Sequence, residues 1–145
     1  MSEVRFNHEE PRYTNENEGY YRDQIDLVVD GEKRGKAWMV HASKPFSYYY
    51  IGDLTIDEEH RGKQHGKEFL LMLNRFLEEK NEPGILYEDI KYNYPGSPTI
   101  GMYERNGWKP VPEREDWRTY NMPPEMSVEQ IQEAVDYIGK KDMFA

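Results

Sequence analysis

The 145-residue sequence contains no cysteine, which excludes disulfide bonds, a cysteine nucleophile and zinc sites built on thiolates. It also has no long apolar run, because the longest notable one, residues 69–73, is far too short to cross a bilayer. Residues 1–5 show no signal-peptide pattern. We therefore expect a cytoplasmic protein with no membrane partner.

Positive charge is scarce along the chain. Nineteen Lys and Arg residues oppose 28 Asp and Glu residues, which gives a formal net charge of -9. Such an acidic surface argues against nucleic acid as a partner and favours a cationic substrate. Residues 61–80 are the exception, since they hold five basic and three acidic side chains.

The length predicts one domain spanning residues 1–145. Residues 1–23 are polar without a helical period, so we expect one short strand there at most. Apolar residues then alternate from Ile25 to Val29, and Asp30-Gly31 predicts the turn of a hairpin whose second strand covers residues 37–42. Residues 48–56 predict a third strand, in which Gly52 permits a bulge or a close approach.

The second half of the chain alternates helices with strands. Apolar residues at helical spacing predict a helix to about Lys80, stopped by Pro83-Gly84. Ser127 and Gln130 form a capping box for a C-terminal helix within residues 124–140. The fold class is therefore α+β, or mixed α/β, with helices on the faces of a mixed sheet. Between the two helices we predict strands at 85–90, 108–111 and 117–122, a loop at 94–98 and a short helix at 99–106.

Residues 54–70 predict a strand, a glycine-bearing turn and the start of a helix. Gly62 and Gly66 permit a tight turn and leave main-chain N–H groups at the helix start to bind an anion. Arg61, Lys63 and Lys67 add positive charge, and a phosphate is the expected ligand. The alternative is a structural connection whose glycines only relieve backbone strain.

Two motifs resemble those of the GNAT superfamily of acetyl-coenzyme A dependent N-acetyltransferases. The first is the loop Q/R-x-x-G-x-G/A, matched by Arg61, Gly62 and Gly66 after a strand that ends at Ile56. The second is Tyr-x-x-x-Gly-Phe/Trp, matched from Tyr103 to Trp108. The resemblance covers residues 24–122. The chain departs from the pattern at Gln64, where a glycine is usual, and at Gly96, where an asparagine is usual.

The resemblance implies a mixed, mostly antiparallel sheet flanked by helices, with a V-shaped cofactor cleft between central strands. It implies acetyl-coenzyme A as co-substrate and no metal. Tyr103 would be the acid that protonates the leaving thiolate. Three strand residues would hydrogen-bond the pantetheine, and the glycine turn would hold the diphosphate. The implied cofactor-binding residues are Leu54, Thr55, Ile56, Arg61, Gly62, Lys63, Gln64, His65, Gly66 and Lys67.

A carboxylate near the acetyl group would bind the ammonium of the acceptor and order water. Asp53 is the first candidate, on the strand beside the expected acetyl group, and Glu88 and Asp89 on the next strand are the others. An ordinary carboxylate has a pKa of about 4, which makes it a poor base for an alkylammonium ion with a pKa near 10. The alternative interpretation is that Asp53 is an ordinary strand carboxylate without a function.

Three functions follow as hypotheses. The first is an N-acetyltransferase that acts by direct attack of a primary amine, carried by a small cationic molecule or a protein, within a ternary complex. The second is a catalytically idle coenzyme A binding module. The third is a protein-interaction domain that uses the tyrosines of residues 48–50. We expect no metal site at His60 and His65, because two histidines with this spacing on a turn are poorly placed to bind one ion. We expect a monomer or homodimer.

Overall fold

A computed structural model describes residues 2–7, 13–15, 20–60, 62, 65–88 and 101–141 of the chain. Its strands form one sheet in the order β1-β3-β4-β5-β6-β8-β7, and β2 pairs with β3 on the same edge as β1. All neighbouring strands are antiparallel except β5 and β6. The strands are β1 Ser2–Asn7, β2 Tyr13–Asn15, β3 Tyr20–Val29, β4 Glu32–Ala42, β5 Tyr48–Ile56, β6 Gly84–Tyr87, β7 Lys109–Val111 and β8 Arg114–Tyr120.

In the described residues three α-helices flank the sheet: α1 His65–Lys80, α2 Met102–Arg105 and α3 Val128–Lys140. Helix α1 connects the parallel strands β5 and β6, because two parallel neighbours need a crossover rather than a tight turn. This arrangement confirms the predicted mixed α+β architecture. No described helix combines the length and the apolar character needed to span a membrane.

The predicted hairpin is the β3–β4 pair. Asp30 and Gly31 form its two-residue turn with φ angles of 51° and 80°, as a type I′ turn requires.

The predicted bulge is also present. Trp38 pairs with Gly52, and Lys36 pairs with Thr55, so β5 contains one residue more than β4 over this span.

The two faces of the sheet carry separate cores, because successive strand residues point to opposite sides. On one face, α1 packs its fully buried Phe69, Leu70, Leu73 and Leu77 against alternate residues of β3, β4 and β5. On the other face, α3 packs its buried Ala134, Val135 and Ile138. Tyr48 belongs to the α3 core and Tyr49 to the α1 core.

The C-terminal helix begins as the sequence predicts. The Ser127 hydroxyl accepts a hydrogen bond from the Gln130 main-chain N–H at 3.1 Å, and the Gln130 side chain accepts one from the Ser127 N–H at 2.9 Å. This reciprocal pair satisfies two N–H groups that the first turn leaves without a helical partner. Ala134, Val135 and Ile138 of this helix are buried, whereas Val128 in its first turn is 43% exposed.

The N-terminal expectation of one short strand at most was wrong. β1 and β2 both pair with β3, which itself begins at Tyr20. β1 and β2 are polar strands that are held by main-chain hydrogen bonds to β3. Such pairing does not require apolar residues at regular spacing within the strand, so the sequence carries no local signal of it. The start of the last strand, predicted at residue 117, was also wrong. β8 starts at Arg114, directly after a two-residue turn.

Several predicted features lie outside the described residues. They include the loop at 94–98 with Gly96, the last two residues of the strand at 85–90, one of which is Asp89, and the first residues of the short helix at 99–106. Gly84, predicted as part of the helix stop, is the first residue of β6.

We predict that Leu73→Ala lowers the free energy of unfolding by about 2–5 kcal/mol, because Leu73 is fully buried between α1 and the sheet. Leu71→Ala is the matched control on the same helix, since Leu71 is 44% exposed. Leu71→Ala should change the free energy of unfolding by no more than about 0.5 kcal/mol. Denaturant unfolding of both variants tests the assigned face of α1, and equal losses would contradict it.

Candidate active site

Strands β5 and β6 separate after a short parallel pairing. They pair at three positions, from Tyr49 with Gly84 to Ile51 with Leu86. β5 then continues to Ile56 along β4, whereas β6 ends at Tyr87. The bulge in β5 lies just beyond the last parallel pair. Within the described part of the chain, β5 has no paired neighbour on this side beyond Ile51, and this is where the resemblance predicts the cofactor opening.

Helix α1 begins close to the end of β5. Gly62, in the connecting turn, has φ +82°, a backbone conformation that glycine adopts without strain. Gly66 lies in the first turn of α1, where main-chain N–H groups lack helical partners. A Cβ added at Gly66 would meet no heavy atom of a described residue within 4 Å, so no described residue fills the space beside the helix start. Lys67 is exposed at the same end.

The side chain of His65 points inward from the first turn of α1. It is 8% exposed, and its Nε2 lies 3.3 Å from Nη1 of Arg34 on β4. Since an arginine only donates, Nε2 of His65 is the acceptor in this contact. Nearby, His60 Nε2 lies 2.6 Å from Oε1 of Glu32. Of the predicted contributors to this turn, Arg61, Lys63 and Gln64 lie outside the described residues.

Tyr103 lies on α2 at the border of the core that α1 forms with the sheet. Leu54 and Ile56 of β5 pack against this same core. The predicted acid and two of the predicted pantetheine contacts therefore pack against the same core. Thr55 pairs with Lys36 in the β4–β5 ladder. Asp53 lies in the bulge of β5, and its side chain is not described.

A buried hydrogen-bond network fixes the chain around Tyr103. The Trp108 indole N–H donates to Asn74 Oδ1 at 2.7 Å, and Asn74 Nδ2 donates to the Asn106 carbonyl at 3.0 Å. The Trp108 main-chain N–H donates to the Tyr103 carbonyl at 3.0 Å. Trp108 is 1% exposed, and its ring meets the Tyr103 ring edge-on at 6.4 Å. Asn74 thus ties the tyrosine helix to the middle of α1.

Two features of the structure explain why the second motif has a glycine at position 107. Gly107 has φ +92°, in the left-handed region that favours glycine. A Cβ at this position would lie 2.9 Å from the ring of Tyr120. Tyr120 stacks on Trp108 with ring centroids 5.4 Å apart. Gly107 therefore lets the chain turn from α2 into the buried position of Trp108.

The environment of Tyr103 keeps its hydroxyl protonated. Burial raises the pKa of Tyr103 to about 12, and the nearby carboxylates of Glu88 and Glu104 contribute in the same direction. Both effects disfavour the phenolate, because one removes water from a charged group and the others place negative charge beside it. The hydroxyl makes no hydrogen bond to another described residue.

A charged cluster lies beside Tyr103. Arg118 of β8 is 6% exposed, and its Nε donates to Glu104 of α2. The same Nε lies 3.6 Å from Oε2 of Glu88, which follows β6 and is 9% exposed. Arg118 Nη1 also donates to the carbonyls of Glu115 and Trp117, the latter at 2.9 Å. We call Glu88, Arg118 and Glu104 the charged cluster.

Sequence reasoning missed Asn74, Glu104 and Arg118. Asn74 had a detectable signal, because it is the polar residue on an otherwise apolar stripe of α1. Arg118 had none, because its pairing with the buried Leu86 becomes visible only in the folded sheet. Glu104 had none, because its partner is fourteen residues away. Within the described residues, no group of three or more potential metal ligands gathers.

No protein-family model matches the chain, and no curated protein matches it. Solved structures do resemble it. One is a GNAT-family acetyltransferase from Staphylococcus aureus Mu50, with 13% identity, a TM-score of 0.52 and coverage of 74% of this chain and 70% of that one. Another is a provisionally assigned acyl-CoA N-acyltransferase from Klebsiella pneumoniae subsp. pneumoniae MGH 78578, with 20% identity, a TM-score of 0.50 and coverage of 68% and 71%.

At these identities the likeness concerns the fold. The chain has the fold of GNAT-family acetyltransferases, and the resemblance predicted from the two motifs is confirmed at that level. The mostly antiparallel sheet with flanking helices agrees with this fold. The roles of individual residues rest on the geometry of this chain alone.

The open space at Gly66 predicts a selective effect of a larger side chain there. Gly66→Val should leave the free energy of unfolding within about 0.5 kcal/mol, because valine is not a worse helix former than glycine. Its affinity for coenzyme A should fall at least about tenfold, because the added carbons fill the space at the helix start.

Gly139→Val is the matched control for this experiment. Gly139 is also helical, and a Cβ there also meets nothing within 4 Å, but it lies near the end of α3. Isothermal titration calorimetry of both variants should show a loss only for Gly66→Val. Equal coenzyme affinities in the two variants would remove the phosphate site from the start of α1.

Proposed function

We propose that the protein is an N-acetyltransferase that transfers the acetyl group of acetyl-coenzyme A directly to a primary amine. The observation that carries this proposal is the separation of β5 from β6 beside the open start of α1, with Tyr103 at the border of the same core. A fold alone does not define a reaction. The combination of an anion site, an extended opening and a protonated hydroxyl supports this one.

The coenzyme is proposed to bind along this opening. Main-chain N–H groups of the turn and of α1, from Gln64 to Lys67, would receive the diphosphate, with charge from Arg61, Lys63 and Lys67. The pantetheine would follow β5 from Leu54 to Ile56 as an added strand would. The bulge gives β5 a local bend at the point where the thioester would lie.

The reaction balances without a covalent enzyme intermediate. The amine nitrogen forms a bond to the acetyl carbon, and the bond between that carbon and sulfur breaks. The acceptor arrives as an ammonium ion, so it loses two protons in becoming an amide. One of them is released to solvent and one balances the thiol of coenzyme A. The protein must therefore bind the cation, accept a proton and stabilise the departing sulfur.

Tyr103 is the proposed donor to the departing sulfur. A thiol such as that of cysteine has a pKa of about 8.5, well below the value of about 12 for Tyr103. Complete transfer of the phenol proton to the thiolate is therefore unfavourable. The hydroxyl instead stabilises the developing negative charge through a hydrogen bond, while the amine supplies the proton that leaves with the thiol.

A carboxylate is needed to hold the acceptor and order water. Asp53 was the first candidate from the sequence, and its main chain lies in the bulge of β5. The described side chain of Glu88 supports the second candidate, because its charge acts on Tyr103. We propose Glu88 for this role and retain Asp53 as the alternative. The acceptor is a small cationic molecule or a protein amine, and the expected location stays cytoplasmic.

Tyr103→Phe tests the assignment of the donor. Because the hydroxyl stabilises only the departing sulfur, kcat should fall at least about tenfold, which corresponds to about 1.4 kcal/mol, while the affinity for coenzyme A changes less than twofold. Since the pKa is about 12, Tyr103 itself should cause no loss of activity with pH up to about pH 11. Thiol release from acetyl-coenzyme A with a panel of primary amines is the measurement.

Tyr120→Phe is the control for this substitution. Tyr120 also stacks on Trp108 and also has a pKa raised to about 12, but its hydroxyl donates to Glu78 on the surface of α1. Its kcat should stay within twofold of the original. Unchanged turnover in Tyr103→Phe would remove Tyr103 from the mechanism. Coenzyme binding without thiol release for any amine would favour the idle coenzyme A binding module.

A further inference from the structure

A second bulge, in the pairing of β3 with β4, contains Arg34. The pairing register shifts between Leu27 and Val28, which makes Arg34 the extra residue of β4. Bulges of this kind change the direction of a side chain and are common next to functional sites. The Arg34 carbonyl accepts a hydrogen bond from the Asp57 N–H at 2.8 Å. The main chain of Arg34 is therefore bonded to the residue that follows β5.

Arg34 and Glu32 of β4 contact two histidines that lie on either side of Gly62. Nη1 of Arg34 lies 3.3 Å from Nε2 of His65, the first residue of α1, and Oε1 of Glu32 lies 2.6 Å from Nε2 of His60. An arginine only donates hydrogen bonds and a carboxylate only accepts them. His65 therefore uses Nε2 as an acceptor and carries its proton on Nδ1, whereas His60 carries a proton on Nε2.

The contact between Arg34 and His65 is the better protected of the two. The side chain of Arg34 is 20% exposed, and His65 is largely buried, whereas the side chain of Glu32 is 58% exposed. Water screens the charge of an exposed carboxylate, so the contribution of Glu32 is small. Arg34 is therefore the residue that determines the position of the His65 imidazole.

His65 has a buried donor that no other described residue uses. Its Nδ1 is inaccessible to solvent and makes no hydrogen bond within the described part of the chain. A buried N–H group without a partner is unfavourable, and most such groups in folded proteins are paired. His65 begins α1, where the main-chain N–H groups of Gly66 and Lys67 also lack helical partners. An anion at this helix start would supply acceptors for side-chain and main-chain donors together.

We propose that the imidazole of His65 binds the diphosphate of the coenzyme through Nδ1–H, and that Arg34 is the positioning residue that holds the imidazole for this contact. Arg34 also determines which nitrogen carries the proton, because Nε2 accepts the arginine's hydrogen bond only when the proton is on Nδ1. The inference deepens the proposed function and rests on it, since it requires a coenzyme at the start of α1.

Arg34 strengthens the proposed donor as well as positioning it. Hydrogen bonds in a chain polarise one another, so donation from a guanidinium to Nε2 makes the Nδ1–H of His65 a better donor. The positive charge of Arg34 is also screened less than that of a fully exposed side chain. A dianionic diphosphate therefore gains more from this arrangement than a neutral ligand does.

Nitrogen NMR of the full chain labelled with 15N tests the histidine assignments. At about pH 8.5, where an ordinary imidazole is neutral, we expect the proton of His65 on Nδ1. Its signal, assigned by its loss in His65→Ala, should shift on addition of coenzyme A or inorganic diphosphate but not of pantetheine. A proton on Nε2 of His65, no shift with coenzyme A, or an equal shift with pantetheine would overturn the inference.

Calorimetry with coenzyme A tests the positioning role of Arg34. Arg34→Met keeps the stem of the side chain but removes the donor, so the affinity for coenzyme A should fall at least about tenfold. Arg34→Lys should recover part of the loss, because lysine donates without the planar fork.

A double-mutant cycle shows whether Arg34 acts through His65. In the His65→Ala background, Arg34→Met should weaken coenzyme binding less than about twofold, because the side chain through which it acts is absent. A tenfold loss in that background as well would overturn the positioning role. Should Arg34→Met fail to fold, the same cycle with Arg34→Lys and the NMR signals of the original protein decide the question.

Arg114→Met is the matched control. Arg114 is also a strand arginine with a partly buried side chain, and it donates to Asp136 of α3 at 2.8 Å. The substitution removes the same charge as Arg34→Met, far along the chain from the start of α1. Coenzyme affinity should change less than about twofold, because water and salt screen a distant exposed charge. Equal losses in the two variants would overturn the inference.

The inference and the proposed reaction fail in different ways. Coupled loss of coenzyme affinity, without thiol release for any amine, would leave the diphosphate contact in place and overturn acetyl transfer. Thiol release with coenzyme affinity unchanged in Arg34→Met would do the reverse. Failure of the original protein to bind coenzyme A would overturn both.

Discussion

The limited pairing of β5 with β6 is the constraint on which the rest of the site depends. Within the described residues the two parallel strands pair at three positions, and just beyond the last of them the bulge bends β5. Helix α1 bridges them and covers one face with four fully buried apolar side chains. Its N-terminus therefore lies near the end of β5, where an anion would meet free main-chain N–H groups.

Tyr103 acquires its properties from contacts made far along the chain. Asn74 fixes the chain just after the helix that carries it, through hydrogen bonds to Asn106 and Trp108 that span 32 and 34 residues. Arg118 fixes the same helix from the side of β8. Burial and two carboxylates then keep the hydroxyl protonated. A short helix that could not be stable alone is thus held in one orientation, as positioning of a reactive group requires.

Local patterns predicted much of this fold. The Asp30-Gly31 turn, the apolar stripe of α1 and the capping box at Ser127 each depend on residues close in sequence, and all three are present. The strands before Tyr20 were not predictable in this way, since their partner β3 supplies the stabilisation. The charged cluster joins residues 88, 104 and 118 from three elements, and no sequence spacing reports such a meeting. The two motifs indicated the fold and Tyr103, whereas the partners of Tyr103 required the structure.

A crystal structure of the full chain with coenzyme A tests the account most directly. The account predicts diphosphate oxygens about 2.7–3.2 Å from the main-chain nitrogens of Gly66 and Lys67. It also predicts the pantetheine along β5 and the sulfur within about 3.5 Å of the Tyr103 hydroxyl. Coenzyme bound at another surface, or an empty opening between β5 and β6 in crystals grown with saturating coenzyme, would contradict it.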